Sequence, residues 1–212
     1  LGSGFDLESA LRFGSLPSII GKPELLQREI LHAYVSTYLQ EEIRQEARLR
    51  SVGAFSRFLD IAASQCGEIV SFSSMSRECM VGAKTVQAYY DILLETLISM
   101  RLDPWRSSIR KRLVGHPKFY LFDTGVTNAI NRRLSEPLDQ ITRGRMFEQL
   151  MILETQRLID YRRSEARLYF WRTNNGTEVD LLVEKHGRII AACEMKSSVR
   201  IGGRDCSGLR SF

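Results

Sequence analysis

The chain has 212 residues, 43% of them hydrophobic and 26% charged, which suits one large domain or two small ones around a real core. Its net charge of +5, carried mostly by arginine, permits nucleic-acid binding without establishing it and leans toward phosphate contact. No apolar run approaches the roughly 20 residues of a membrane-spanning helix. Cys66, Cys79, Cys193 and Cys206 lack metal-ligand spacing, as do His32, His116 and His186. That argues against zinc and reads as reduced thiols of a cytoplasmic protein, with the imidazoles at the surface or in loops. No secretory signal is present, and Leu1-Gly2-Ser3-Gly4 has no initiator methionine, as in a fragment.

Residues 5–20 predict a short amphipathic helix from Asp6 to Phe13, stopped by Gly14 and Pro17. Gly21-Lys22 runs into Pro23 at the wrong spacing for a phosphate loop, and no other stretch matches one, so the chain carries no ATP-binding motif of that kind. A long helical pattern follows from Glu24 to about Arg50, with Pro23 at its start and Leu26, Ile30, Tyr34, Tyr38 and Leu39 as its apolar stripe. Its second half alternates acids and bases, the mark of a solvated face.

Helices are then expected over Ala54–Gln65, Ser74–Cys79 and Lys84–Met100, with a tight turn at Val81-Gly82 before the third. Short helix, glycine turn and longer helix describe a helix-turn-helix. Leu97–Trp105 and Lys118–Phe122 flank the basic stretch Arg106–Arg112, as two strands and the charged loop of a wing. In a DNA-binding unit of this kind Lys84, Thr85 and Gln87 would enter the major groove while Arg106, Arg110, Lys111 and Arg112 touch phosphate. The same unit also serves as a protein-contact spacer, and the sequence leaves both open.

Asp123 or Thr124 predicts the cap of a helix through Ile130. Residues 131–144, polar and containing Pro137, predict a linker and a domain boundary. The next helix is expected from Arg145 to about Asp160, with Phe147, Leu150, Met151, Ile152 and Leu158 toward a core. Glu148 lies beside that face, either as an acid favoured near a helix N-terminus or as a carboxylate aimed at the strands that follow. Arg167–Arg172 predicts a strand, and Asn174-Asn175-Gly176 a turn.

Gly176–Ser198 reads as two apolar strands around His186-Gly187, with Asp180 entering the first and Glu194-Met195-Lys196 ending the second. Charges in such a place are normally paired or bound to a metal. Register decides between these. Directly opposite, the two acids would stand roughly 5 Å apart at Cβ, close enough to share one divalent cation. A two-residue loop would instead pair Asp180 with Cys193 and send Glu194 to the other face, so a shared site needs an odd-length loop or a compensating bulge. The bland alternative is an exposed sheet end with ordinary ion pairs. Glu178 is expected to face away from Asp180 and is the weaker candidate.

The order of helix with Glu148, strand, strand with Asp180 and strand with Glu194-Met195-Lys196 resembles the restriction-endonuclease-like fold with its P-D…(D/E)-x-K signature. The segments R-G-R-M-F-E, Y-F-W-R-T-N-N-G-T-E-V-D, C-E-M-K-S-S and D-C-S-G-L-R-S-F are similar to a domain of unknown function in prokaryotic AAA+ type ATPases. There it sits behind the ATPase core and a winged helix. F-D-L-E-S-A-L-R-F-G-S-L-P and K-F-Y-L-F-D-T-G-V share the likeness. The resemblance implies a mixed α/β fold. A helical N-terminal segment (1–50) and a winged helix (51–135) would precede a truncated restriction-endonuclease-like α-β-β-β core (140–212).

It further implies that Asp180, Glu194 and the Met195 carbonyl hold Mg2+ or Mn2+, with Glu148 completing the shell through water. Lys196 would position that water or balance developing charge. Glu148, Asp180, Glu194 and Lys196 would then form the catalytic set for metal-dependent DNA cleavage in the intact protein. ATP would act only through an attached or associated ATPase module absent from this chain. A further helix and strand normally follow D-C-S-G-L-R in the fold, so the sheet is expected to keep an open edge that another copy would cover. The competing expectations are a non-catalytic DNA- or protein-binding adaptor that regulates an ATPase, and an assembly surface alone.

Overall fold

A computed structural model describes residues 5–39, 52–106, 116–198, 202 and 206–212. Among these residues, eight α-helices and a five-stranded mixed sheet give the expected mixed α/β class. None of these helices is long and apolar enough to cross a membrane.

Helix α1 (Leu7–Phe13) starts where Asp6 accepts the N–H groups of Glu8 and Ser9, and Gly14 at φ 81° ends it. Helix α2 (Glu24–Ala33) passes into a π-helical turn over Tyr34–Leu39, and residues 40–50 of the expected long helix lie outside the described residues. Its inward residues are Gln27 and Leu31, whereas Leu26 is 39% exposed. The apolar stripe misplaces this face because the Gln27 amide donates to the Ile19 carbonyl at 3.2 Å, which lets a polar side chain point inward.

Helices α3 (Val52–Ser64), α4 (Phe72–Cys79) and α5 (Ala83–Glu95) pack around Phe55, Phe58, Met75, Tyr89, Tyr90 and Leu93. Met80 takes the left-handed conformation (φ 56°) that closes α4 before α5 begins. Helix α5 stops earlier than its apolar pattern suggests. Leu97 turns to φ 59°, and Ser99-Met100 open strand β1 (Ser99–Pro104), paired with strand β2 (Lys118–Leu121). Strand pairing overrides helical periodicity there.

Helix α6 (Thr124–Ile130) begins at Asp123, whose side chain accepts the Val126 N–H. Helix α7 (Gln140–Tyr161) begins earlier than expected, so residues 140–144 are helical rather than linker. The reason is local: Asp139 accepts the N–H groups of Ile141 and Thr142, both at 2.9 Å. The inward residues of α7 are Thr142, Met146, Gln149, Leu150, Ile152, Leu153 and Ile159, while Met151 and Leu158 are exposed. The helix is sandwiched, with Met146 and Leu150 against α1 and Ile152 and Ile159 in the main core, so two flanks are buried rather than one stripe.

Strands β3 (Arg167–Arg172), β4 (Glu178–Lys185) and β5 (Arg188–Cys193) complete the sheet in the order β2-β1-β3-β4-β5. Strand β1 is antiparallel to β2 and parallel to β3. The hairpin that follows α5 and the C-terminal strands therefore form one continuous sheet. That continuity places Lys118 and Tyr120 beside the C-terminal acids.

Candidate active site

Strands β4 and β5 are joined by His186-Gly187, both left-handed (φ 52° and 75°), with Lys185 paired to Arg188. This is the two-residue loop that would, unaided, turn Glu194 away from Asp180. A bulge intervenes. Glu184 pairs with Ile189 but Val183 pairs with Ala191, so Ile190 is the extra residue and the register moves by one. From there Leu182 faces Ala192 and Leu181 faces Cys193, a register that, carried one step past the end of the strand, would put Asp180 across from Glu194.

A second irregularity flanks Asp180 on the other side. Tyr169 pairs with Leu182 and Trp171 with Val179, which leaves Asp180 and Leu181 together opposite Phe170. Accordingly Val179 and Leu182 pack with Tyr169 on one side of the sheet, while Leu181 joins Phe170 in the main core. Bulges next to functional sites re-aim side chains in this way. Strand β5 ends at Cys193, so Glu194–Lys196 are not strand residues as the sequence suggested. The Met195 N–H donates to Asp180 Oδ2 at 2.6 Å instead of continuing the ladder.

Glu148, Asp180, Glu194 and Lys196, drawn from α7, β4 and the segment after β5, line one cleft of about 710 Å3. Glu178 lines it too, contrary to expectation, since residues two apart on a strand share a side. The residue missed by the sequence reading is Lys118. It is 4% exposed, and its Nζ lies 3.1 Å from Glu148 Oε1 and 2.5 Å from Glu178 Oε1. Tyr120 donates its hydroxyl to the same Glu148 oxygen at 2.6 Å. The available signal was a lysine opening the apolar strand K-F-Y-L, where an unpaired charge would not be tolerated.

Electrostatics follow from this crowding. Burial first, and the nearby Glu148 charge second, push the Asp180 carboxyl from its ordinary 3.8 to about 6, against the Met195 N–H, Lys196 and Lys118. Lys118 is pulled down by desolvation, yet Glu148 and Glu178 together raise it above its ordinary value, so it stays an ammonium. Burial and the Glu148 charge also raise the Tyr120 hydroxyl, which remains a donor.

The C-terminal helix α8 (Ser207–Ser211) closes one side of the cleft. The Leu209 N–H donates to Glu194 Oε1 at 3.0 Å. A Cβ at Gly208 would stand 1.8 Å from the Glu178 carbonyl oxygen and 2.3 Å from Glu194 Oε1, so only glycine seats this helix. Phe212 then meets Trp105 and Trp171 edge-on, with ring centroids 5.5 and 5.4 Å apart. These are the chain's two tryptophans. Gly208→Ala is therefore expected to unseat the helix and red-shift tryptophan emission under native conditions. An unchanged spectrum would show that the backbone contact does not hold the helix.

Five acids, including Glu68, and three bases, including Arg172, line the cleft, for a formal charge of −2. That hard-oxygen set suits a divalent cation. Yet among the described residues no three His, Cys, Asp or Glu groups gather as a ligand cluster. Asp180 and Glu194 are turned to backbone N–H groups, and Glu148 and Glu178 to Lys118. The donor chemistry fits Mg2+ or Mn2+, and two of the carboxylates, Glu148 and Glu178, share an internal ammonium.

The four described residues of the expected DNA-contact set, Lys84, Thr85, Gln87 and Arg106, are not among this cleft's lining. Lys84 and Gln87 are exposed and Thr85 half-buried at the start of α5, and Arg106 is exposed after β1. Arg110, Lys111 and Arg112 lie outside the described residues. The three histidines are exposed; Cys66 and Cys79 are buried, Cys193 and Cys206 less so, and all four are free thiols.

Comparison with known proteins divides the chain in two. Residues 4–137 match a domain of unknown function (DUF8612) and residues 143–212 match another (DUF4143). The second is a domain often found at the C-terminus of AAA-type ATPases. Uncharacterized proteins of Mycobacterium tuberculosis and Mycobacterium bovis are each 29% identical over 185 residues, covering 84% of this chain. The chain spans 40% of the length of these curated relatives. No solved structure matches it.

Proposed function

From a chain that belongs to the DUF8612 family and carries a DUF4143 segment behind it, we propose that the intact protein is a metal-dependent DNA phosphodiesterase attached to an AAA-type ATPase. The supporting observation is the convergence of Glu148, Asp180, Glu194 and Lys196 on one cleft, with a bulge restoring the register a two-residue turn would spoil. In this reading Asp180, Glu194, the Met195 carbonyl and Glu148 hold Mg2+ or Mn2+, which supplies Lewis-acid stabilisation of the phosphoryl oxygens. Asp180, with its carboxyl at about 6, is mostly ionised above neutral pH and available as a ligand. Lys196 sets its ammonium against charge developing on the scissile phosphate.

The helices α3–α5 with the β1–β2 hairpin act as a winged helix. Lys84, Thr85 and Gln87 meet the groove, and Arg106, with Arg110, Lys111 and Arg112, meets phosphate. The exposed strand β5, last in the sheet order, is where a second copy would add.

The second reading is a non-catalytic DNA- or protein-binding adaptor that regulates the attached ATPase. It is favoured by one observation: the cleft's acids are already engaged by Lys118 and by backbone N–H groups. The deciding experiment incubates supercoiled and linear DNA with the ATPase-containing protein and Mg2+ or Mn2+. Cleavage is expected, falling roughly 100-fold or more in Asp180→Asn and in Lys196→Ala, the scale of losing one transition-state-stabilising group. Cutting that survives both substitutions would remove these residues from the mechanism. Salt-dependent DNA binding without cleavage would select the adaptor, and no DNA binding at all an assembly surface.

A further inference from the structure

The two strands of the β1–β2 hairpin do more than prolong the sheet, because β2 delivers a charge into the cleft. Lys118 pairs with Leu102 of β1 in the ladder, and its backbone also bridges to Ile69. Its side chain is enclosed, with Nζ 5.3 Å from the centre of the Phe170 ring and in contact with Glu148 and Glu178. A buried ammonium is tolerated only with such partners, and removal of either side of a buried pair leaves an uncompensated charge.

We propose that Lys118 is the internal cation that sets the divalent-ion affinity of the cleft. The inference deepens the metal-dependent reading above and rests on it. The physical basis is competition for one set of oxygens. The ammonium already pairs with Glu148, which the reading assigns to the metal shell, and with Glu178 beside Asp180, offsetting one of their two negative charges. A divalent ion entering there meets a fixed positive charge a few ångströms away, in surroundings where such repulsion is poorly screened. Affinity for a divalent ion is thereby lowered. The residue comes from the DUF8612 part, while the acids it restrains lie in the DUF4143 part. The cleft is therefore a composite of both.

The experiment measures Mn2+ binding by calorimetry and by Mn2+ electron paramagnetic resonance at one fixed pH, without DNA. It uses the full protein and its Lys118→Met, Lys118→Gln and Lys118→Arg variants. Lys118→Met is expected to bind Mn2+ at least tenfold more tightly than the parent. Lys118→Arg, which keeps the charge, is expected to stay close to the parent. Mn2+ should also raise the melting temperature of Lys118→Met more than that of the parent. If Lys118→Met does not fold, Lys118→Gln, which keeps a hydrogen-bond donor, carries the comparison. Adding Asp180→Asn to the tight-binding variant should abolish the gain, placing the ion in this cleft. Equal affinity in parent and neutral variants overturns the role of Lys118 and leaves the metal reading intact. Absence of specific Mn2+ binding in every protein overturns the metal reading and this inference with it.

Discussion

At pH 8, Asp180→Asn is expected to gain stability over the parent, by about 3 kcal/mol more than it does near pH 3. The folded carboxyl sits at about 6 against an ordinary 3.8, raised mainly by burial and then by Glu148. A carboxyl whose pKa is raised by folding binds its proton more tightly in the native state. Its contribution is therefore fully present below 3.8, declines through the interval up to about 6, and is lost above it. The asparagine never ionises, so it escapes that loss, while its side-chain oxygen still accepts the Met195 N–H. For a chain of this length that pH-dependent part corresponds to a melting-temperature difference between variant and parent that is roughly 6–12 °C more in the variant's favour at pH 8 than near pH 3. Denaturant titrations of both proteins at several pH values between 3 and 8 provide the check. A stability difference flat across that range would mean that the Asp180 carboxylate is not destabilised by its surroundings. Under the function proposed above, the same substitution lowers metal-dependent cleavage roughly 100-fold or more, so stability and activity would move in opposite directions.

The largest loss is expected from Asp123→Ala, about 3–4 kcal/mol, since it strips a helix cap and orphans buried N–H donors. Asp123 is 1% exposed, and its two oxygens accept the Ser15 N–H at 2.8 Å and the Val126 N–H at 3.1 Å. It thereby fastens the chain after α1 to the start of α6. The fit is close: a Cβ at Gly14 would stand 2.0 Å from Asp123 Oδ1, and one at Gly125 the same distance from the Phe13 carbonyl oxygen. Asp123→Asn keeps one acceptor and is expected to lose about half as much. Urea unfolding of the two variants tests this. An alanine variant within 1 kcal/mol of the parent would show that water replaces the carboxylate at little cost.

Much of this protein can be read from local chemistry. Asp6, Asp123 and the Gly14 stop mark helix ends because side-chain oxygens and left-handed glycine act within a few residues of themselves. The four residues Glu148, Asp180, Glu194 and Lys196 were recognisable because charges in an apolar hairpin and beside an apolar helix face need a reason. Asp139 obeys the same capping chemistry, yet the polarity around Pro137 masked it.

Other features depend on partners far away in the chain, and for these no local pattern suffices. The inward position of Gln149 becomes tolerable only because Leu121 and Thr127 accept its amide, at 2.7 and 2.9 Å. The register that carries Glu194 toward the cleft of Asp180 includes one extra residue at Ile190, a bulge that nothing in the alternation of side chains announces. Lys118 belongs to this class as well. Its strand precedes Glu148 by 30 positions and Glu178 by 60, and only the parallel pairing of β1 with β3 brings the ammonium to those carboxylates. Local patterns of helix and strand, together with the resemblance they carry, pointed to the mixed class of fold and singled out these acids as candidates. Tertiary pairing decided their register and the cation between them, because strand registry and buried charge neutralisation are properties of segments that meet only once the chain has folded.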